Sequence, residues 1–346
     1  MKTNSTSFNR IVGLLLAVVM AIGLTACGGR TDPGRTDTGL EVGDILTPPA
    51  PEGRFSWSDR KTDIDDPEKV LTRYGDVETV VKAIKTPSEP DSTNTSNATQ
   101  YGTVDWSTAA NGYITFTAKG QTRAVILQGP NTGVQAYFTV NKGDSVKVAL
   151  MDGTGQYQYA IANLINGGKS YRVQYKNSFN VDKIDADLVP FLVSTPWGDY
   201  GNAPNAVKKA AELWDGKKTQ LENVETLAKW VGDLDYDKNL KQGTIDKYVN
   251  PDSVIAKGGG VCNEMSKLLV AMLRSQGVPS YYQSGVSSAG TNHAWVRAWV
   301  ELGNSVKDGV TYSKGAWITI EATSGDIQYK VSVGNNYKTD TKNLAN

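Results

Sequence analysis

A change in the period of the hydrophobic pattern near residue 190 most constrains the fold of this chain. Before it, from Tyr101 to about Tyr175, apolar and polar residues alternate in short segments, and Gly or Asn punctuates the gaps. Short alternating segments with turn signals about every 8–12 residues predict a β-sandwich. The candidate strands are Tyr113–Thr117, Arg123–Leu127, Gln135–Val140, Ser145–Leu150, Tyr157–Leu164 and Tyr171–Tyr175.

Beyond about Pro190 the pattern becomes helical and later returns to strands. Ala206–Leu213 and the apolar positions of 221–231 recur at helical spacing. The later candidate strands are Val278–Gly285, His293–Val300, Ala316–Ile320 and Ile327–Val333. Helices followed by strands predict an α+β fold for this half of the chain.

The N-terminal segment is typical of a secretion signal. Lys2 and Arg10 precede an apolar run of 14 residues, Ile11–Leu24, which is too short to span a membrane. The run ends in Leu-Thr-Ala-Cys27, which resembles a bacterial lipobox. That resemblance implies cleavage before Cys27, lipidation of its thiol and anchoring at the outer face of the cell membrane. A plain secretory signal is the alternative.

Composition and pattern together predict four segments in the chain, and the charge balance argues against nucleic acid as a partner. We expect a signal peptide at 1–26, a lipidated N-terminus and flexible linker at 27–100 with a weak helical pattern at 67–85, a β-sandwich-like domain at 101–185, and a second domain at 186–346. The 36 basic residues balance the 36 acidic ones, so the sequence shows no electrostatic footprint for nucleic acid.

Cys262 is the one thiol that remains if Cys27 carries lipid. A single thiol cannot form an intrachain disulfide, so it is either a reactive group or an inert buried side chain. Gly258-Gly259-Gly260 precedes it, and an amphipathic helix follows that closes with Arg274, Gly277 and Pro279. In the first turn of a helix, unpaired N–H groups and the helix dipole favour the thiolate.

His293 is the single histidine of the chain. Strand alternation puts it on one face with Trp295, Arg297 and Trp299, and puts the Ala and Val residues between them on a core face. A cysteine at a helix start and a histidine on a later strand form the arrangement that nucleophilic catalysis requires. A structural or surface histidine is the alternative.

Together these segments resemble the bacterial transglutaminase-like superfamily over about residues 205–330. The resemblance is carried by Gly-x-Cys262, Arg274-Ser-x-Gly-Val-Pro279, His293-Ala-Trp295 and the upstream Asp235-Tyr236-Asp237. It implies a papain-like Cys-His-acid fold for the second domain, with helices packed on an antiparallel sheet. It also implies that Cys262 is the nucleophile and His293 its base.

The third catalytic residue departs from the family pattern. The family usually has an aspartate in a strand motif ending Asp-Pro-Thr, whereas this chain reads Glu321-Ala322-Thr323. We expect Glu321 to orient His293, because its spacing from Trp317 fits the motif better than that of Asp326. Asp326 remains the other candidate.

The expected chemistry is acyl transfer through a thioester on Cys262. If water resolves the thioester, the protein is a cysteine peptidase or amidase acting on a protein or peptidoglycan peptide, which is the reading we favour. If an amine resolves it, the protein is a cross-linking transglutaminase; a non-catalytic surface module that retains the fold is the further alternative. No metal or organic cofactor is implied, since one His and one free Cys cannot form a typical zinc site.

Overall fold

The computed structural model describes residues 45–46, 79–82, 95–131, 135–168, 170–185, 187–237, 248–287, 292–307, 310–328 and 337–345. The predicted secretion signal, Cys27 and most of the predicted tether lie outside these residues. Within them, mainly antiparallel sheets combine with α-helices, and the expected α+β fold class is confirmed.

The described elements are numbered in chain order. The strands are β1 (Ile45–Leu46), β2 (Thr79–Lys82), β3 (Ser96–Ala98), β4 (Gly102–Asp105), β5 (Tyr113–Ala118), β6 (Arg123–Gln128), β7 (Gln135–Val140), β8 (Ser145–Ala149), β9 (Gly155–Ile165), β10 (Ser170–Val181), β11 (Asp235–Tyr236), β12 (Gly259–Gly260), β13 (Ser280–Ser287), β14 (Asn292–Lys307), β15 (Val310–Glu321), β16 (Asp326–Gln328) and β17 (Tyr337–Ala345). The helices are α1 (Pro204–Leu213), α2 (Gln220–Gly232), α3 (Pro251–Lys257) and α4 (Cys262–Ser275).

Two antiparallel sheets share one core in the first half of the chain. One has the strand order β1-β10-β9-β6-β7 and the other β3-β4-β5-β8. Ile114 and Phe116 of β5 meet Val125 and Leu127 of β6 in this core, and all four are alternate residues of their strands. A strand forms at each of the six places that alternation predicts between residues 113 and 175.

The predicted flexible linker is wrong at its C-terminal end, because Ser96–Ala98 forms the edge strand β3 and pairs with β4. The Asn97 side-chain amide donates hydrogen bonds to the hydroxyls of Tyr159, at 2.9 Å, and Tyr175, at 2.8 Å. These bonds fix a polar segment that buries little apolar surface. A strand therefore forms in a segment whose Ser, Thr and Asn composition predicts a linker.

The helical pattern expected at 67–85 is wrong over Thr79–Lys82, which forms β2 and pairs antiparallel with β15. Val80 and Val81 are β-branched, and such residues suit a pleated strand better than a helix. Ile45–Leu46, inside the predicted tether, likewise pairs with β10. Both partner strands lie far along the sequence, so no local pattern reveals these pairings.

Helix α4 is the central element of the second half. Every residue from Cys262 to Arg274 is buried, and the helix packs against α1, α2 and α3 as well as against β13 and β14. The sheet beneath it has the order β16-β15-β14-β13-β17, with β2 added on β15. Ala294, Val296 and Ala298 of β14 face this helix–sheet core, as alternation predicts.

The C-terminus of α4 closes as its sequence predicts. Gly277 has φ +77°, the left-handed conformation that glycine adopts without strain. The N–H of Val278 donates to the carbonyl of Leu273 and that of Gly277 donates to Arg274, both at 3.0 Å. These two bonds form a Schellman motif, which fixes where the helix stops and where β13 begins.

The opposite face of the sheet is also buried. The residues of β14 on this face are His293, Trp295, Arg297 and Trp299. The ring centroids of Phe191, Tyr281 and Trp299 lie 4.7, 5.2 and 5.8 Å from that of Trp317. Polar groups on this face are therefore held in an interior rather than in solvent.

Trp197 joins the two halves of the chain. Its ring centroid lies 6.4 Å from that of Phe138 in β7 and 5.1 Å from that of Tyr282 in β13. The ammonium of Lys267, a fully buried residue of α4, sits 4.1 Å from the same centroid. One indole thus contacts both the sandwich core and the helix that begins with Cys262.

Candidate active site

A glycine strand leads the chain into α4. Gly258 ends α3 in the left-handed conformation, with φ +73°, and β12 (Gly259–Gly260) then pairs in parallel with β11. A Cβ atom on Gly259 would lie 1.9 Å from the carbonyl oxygen of Asp235, so only glycine allows this approach of the two backbones. This pairing places the Asp235-Tyr236-Asp237 segment, part of the family resemblance, next to the glycines that precede Cys262.

Cys262 is the first residue of α4, and its side chain is 1% exposed. The N–H of Val261, the N-cap residue, donates to the Glu264 carboxylate at 3.2 Å, and Lys257 Nζ lies 3.3 Å from the same carboxylate. Glu264 thus stabilises the helix start and is itself balanced by a cation. Because the thiol is buried in the helix–sheet core, its chemistry requires an opening that admits a substrate.

His293 and Glu321 are brought together on the buried face of the sheet. His293 Nε2 and Glu321 Oε2 are 2.6 Å apart, and the two side chains are 1% and 0% exposed. The pairing of Val296 with Ile320 explains the contact, because the residue after Ile320 must face the same side as His293. The structure therefore joins two of the three predicted site residues directly.

Thr323 holds the other oxygen of the Glu321 carboxylate. Its hydroxyl donates to Glu321 Oε1 at 2.6 Å and its backbone N–H at 3.1 Å. Burial alone would raise the pKa of Glu321, but the His293 charge and the hydrogen bonds from His293 and Thr323 hold that pKa below its ordinary value. Glu321 is therefore a carboxylate near neutral pH.

Helix α2 packs tightly on the turn that carries this carboxylate. A Cβ atom on Gly232 would lie 2.3 Å from the backbone nitrogen of Gly325, and the Gly325 N–H donates to the Glu321 carbonyl at 2.8 Å. Asp326 follows in the same turn, and its carboxylate accepts a hydrogen bond from the Ser324 hydroxyl at 2.8 Å. Of the two acids proposed to orient His293, the structure brings Glu321 to the imidazole.

The lowered pKa of Glu321 predicts an acid-dependent loss of stability. A carboxyl whose pKa is lower in the folded than in the unfolded chain stabilises the fold fully above its ordinary value, 4.5, and loses this contribution as pH falls through the folded value. We expect Glu321→Gln to remove it, so the free energy of unfolding of the wild type should fall more steeply below pH 4.5 than that of the variant. Urea unfolding of both proteins at a series of pH values measures the difference. Parallel curves would contradict it.

The contact between Cys262 and His293 stays a prediction. Helix α4, which Cys262 begins, packs against β14, in which His293 is the second residue. Since His293 Nε2 faces Glu321, Nδ1 is the ring nitrogen that would serve the thiol.

Besides Thr323, sequence reasoning missed Gln283. The indole N–H of Trp295 donates to the side-chain oxygen of Gln283 at 2.9 Å, and these residues are direct partners in the pairing of β13 with β14. The Trp295 ring lies 6.3 Å from the imidazole of His293, with an interplanar angle of 30°. Alternation did place Trp295 beside His293, but the role of Gln283 depends on strand register, which sequence alone does not provide.

The described part of the chain contains neither a cluster of metal-binding side chains nor a membrane-spanning helix. No group of three or more His, Cys, Asp or Glu side chains among those residues could hold a metal ion. No helix among them is long and apolar enough to cross a membrane.

The family comparison agrees with the sequence motifs. Residues 207–322 match the model described as the transglutaminase-like superfamily, which confirms the resemblance seen in the sequence. These residues include Cys262, His293 and Glu321. No curated protein matches the chain.

Several solved structures show distant similarity. A candidate cysteine protease from Cytophaga hutchinsonii has 15% identity and a TM-score of 0.35, with 65% of this chain and 78% of that one covered. The periplasmic domain of TgpA from Pseudomonas aeruginosa, bound to ethylmercury, has 14% identity and a TM-score of 0.29, with coverage of 59% and 84%. A candidate protease from Parabacteroides distasonis has 14% identity and a TM-score of 0.27, with coverage of 61% and 42%. With TM-scores this low, these likenesses carry no functional argument.

Proposed function

We propose that this chain, which carries a transglutaminase-like superfamily domain at residues 207–322, is a cysteine hydrolase that cleaves amide bonds through a thioester on Cys262. One observation carries the proposal: His293 Nε2 and Glu321 Oε2 lie 2.6 Å apart, and His293 is at the start of the strand against which the Cys262 helix packs. A buried histidine–carboxylate pair, together with a thiol at the start of a helix that packs against the same strand, supports the assignment of a base, the group that orients it and a nucleophile.

The hydrogen bond of His293 Nε2 to Glu321 determines which ring nitrogen takes part in the proposed proton transfers. When Nε2–H donates to Glu321, Nδ1 accepts the proton of the Cys262 thiol, and the imidazolium that forms is stabilised by the carboxylate. The thiolate sulfur attacks the amide carbonyl carbon, and the C–N bond breaks as the amine leaves with the proton from Nδ1. Water then attacks the thioester, loses a proton to Nδ1 and releases a carboxylic acid. Nδ1 returns that proton to the departing sulfur, which regenerates the Cys262 thiol and the neutral imidazole.

The start of α4 supports stabilisation of the tetrahedral intermediate. The first N–H groups of a helix have no acceptor within the helix, and they point towards its N-terminal end. Cys262 is the first residue of α4, so its own N–H is one of these donors. Such fixed donors stabilise negative charge on the substrate oxygen as it develops.

The pH dependence of Cys262 alkylation by iodoacetamide tests the proposal. We expect the alkylation rate to be at its plateau already at about pH 6, because an imidazolium beside the sulfur favours the thiolate, whereas an ordinary thiol reaches half its plateau at about pH 8.5. His293→Ala should abolish the early plateau. Because Cys262 is 1% exposed, the shape of the profile is the readout, and the absolute rate also reflects opening of the site.

A non-catalytic module is the second candidate, and the burial of Cys262 is the observation that favours it. An alkylation profile with its midpoint at about pH 8.5 in the wild type, unchanged by His293→Ala, would support this candidate and contradict the hydrolase. Transfer of the acyl group to an added amine, in place of release by water, would identify a cross-linking transglutaminase instead.

We further propose that the domain acts at the outer face of the cell membrane, on a protein or peptidoglycan peptide, because the Leu-Thr-Ala-Cys27 motif supports a lipid anchor. The chain contains two cysteines, which provide a matched pair of variants. Expressed from the full sequence in a bacterial host, Cys27→Ser should move from the membrane fraction to the soluble fraction, and Cys262→Ser should stay in the membrane fraction. A Cys27→Ser protein that remains with the membrane would rule out the anchor.

A further inference from the structure

Asn263, the residue that directly follows Cys262, has an unsatisfied polar side chain. The residue is 7% exposed, and its Oδ1 atom has no hydrogen-bond partner among the residues that the structure describes. Glu264, the next residue of α4, is by contrast engaged, because its carboxylate accepts a hydrogen bond from the Val261 N–H. Asn263 therefore differs from the residue that follows it.

An unpaired buried amide oxygen is unfavourable for folding. Water hydrogen-bonds this oxygen in the unfolded chain, and folding removes the water without a replacement. A leucine of similar volume at this helical position would bury apolar surface and leave no polar atom unpaired. Stability thus gives no account of an asparagine here, whereas a ligand that supplies an N–H donor does.

We propose that Asn263 is a specificity-determining residue whose side-chain oxygen accepts a hydrogen bond from a peptide N–H of the substrate. The inference rests on the proposed function, and it names the substrate class as peptide acyl donors with an unsubstituted N–H on the residue whose carbonyl is attacked. Asn263 follows Cys262 in the first turn of α4, and consecutive Cα atoms are about 3.8 Å apart, so in this proposal the carbonyl of a peptide meets the Cys262 sulfur while the N–H of the same peptide residue meets the Asn263 amide. The helix start then donates to the substrate carbonyl oxygen while Asn263 accepts from the adjoining N–H.

A pair of peptide probes tests the inference without knowledge of the natural substrate. The probes are acetyl-Ala-Ala chloromethyl ketone and its analogue with a methyl group on the amide nitrogen next to the ketone-bearing residue. Intact mass measures the rate at which each alkylates Cys262 in the full chain. We expect the wild type to react about tenfold faster with the N–H probe than with the N-methyl probe, as loss of one hydrogen bond implies. Asn263→Leu should react with both probes at the slower rate.

Three controls separate a substrate contact from a structural role. Iodoacetamide, which has no peptide N–H, should alkylate the wild type and Asn263→Leu at equal rates and with equal pH profiles. The melting temperature of Asn263→Leu should equal or exceed that of the wild type. Ser266→Ala is the matched variant, because Ser266 is also buried on α4, at 0% exposure, with no partner for its hydroxyl among the described residues; it should keep the full preference for the N–H probe.

The outcomes distinguish the inference from the proposed function. A wild type that reacts no faster with the N–H probe than with the N-methyl probe overturns the inference, as does an Asn263→Leu variant that keeps the preference. A variant with a lower melting temperature and equal losses on both probes and iodoacetamide also overturns it, in favour of a structural role. Failure of the proposed function instead appears as an ordinary iodoacetamide profile in the wild type.

Discussion

Cys262→Ala is expected to abolish amide hydrolysis, because it removes the atom to which the acyl group would be transferred. Loss of a nucleophile that acts together with its base typically lowers kcat by about 10⁴-fold or more. Peptide mixtures incubated with the wild type should leave an acyl adduct on Cys262 that hydroxylamine removes, and this adduct should be missing from the variant. Intact mass and release of new amines measure both effects.

The control for this prediction is structural. Alanine at the first position of α4 keeps helix propensity and removes one buried atom, so circular dichroism and the melting temperature should show a folded protein. A folded Cys262→Ala protein that still hydrolyses peptides would contradict the thioester mechanism. The reaction would then have to proceed without the only cysteine in the described part of the chain.

Glu321→Gln is expected to lower kcat by about 10²- to 10⁴-fold, the usual range for disrupting general acid–base catalysis. The glutamine amide can donate to His293 Nε2, which would place the ring proton on Nδ1 and block acceptance of the thiol proton. It also cannot balance the imidazolium. KM should change little, because the proposed role of Glu321 is to orient His293 and not to bind the substrate.

Two further variants test whether the fall in kcat results from loss of the carboxylate that orients His293. Asp326→Asn changes the other candidate acid, whose carboxylate bonds Ser324, and should retain near wild-type kcat. Thr323→Val removes the hydroxyl donor to Glu321 Oε1 and should produce a smaller fall in kcat than Glu321→Gln. An active Glu321→Gln enzyme together with an inactive Asp326→Asn enzyme would transfer the orienting role to Asp326.

Local sequence patterns predicted the elements that carry the candidate site. The glycines before Cys262 and the Gly277-Val-Pro279 stop define α4, because backbone conformation and capping act within a few residues. Alternation along β14 likewise predicted the residues that share a face with His293. Helix α3 was missed, although Asn250 caps it and Pro251 occupies its first turn.

Long-range pairing explains what the sequence could not predict. The spacing from Trp317 favoured Glu321 over Asp326, but the contact with His293 depends on the register of β14 with β15 and on the turn that Thr323 and Gly325 form, which local patterns do not provide. β3 is fixed by hydrogen bonds to tyrosines more than sixty residues away. The composition of this strand is polar, and its pairing and hydrogen bonds with distant residues determine its structure.

The position of Trp197 makes the two halves of the chain interdependent. Its indole lies against Phe138 on one side and forms the cation–π contact with Lys267 on the other. Removal of the sandwich by proteolysis between β10 and Trp197 would therefore expose aromatic surface and weaken the packing of Trp197 against the helix that begins with Cys262. The remaining fragment should bind a hydrophobic dye and lose the proposed activity, although it retains Cys262, His293 and Glu321.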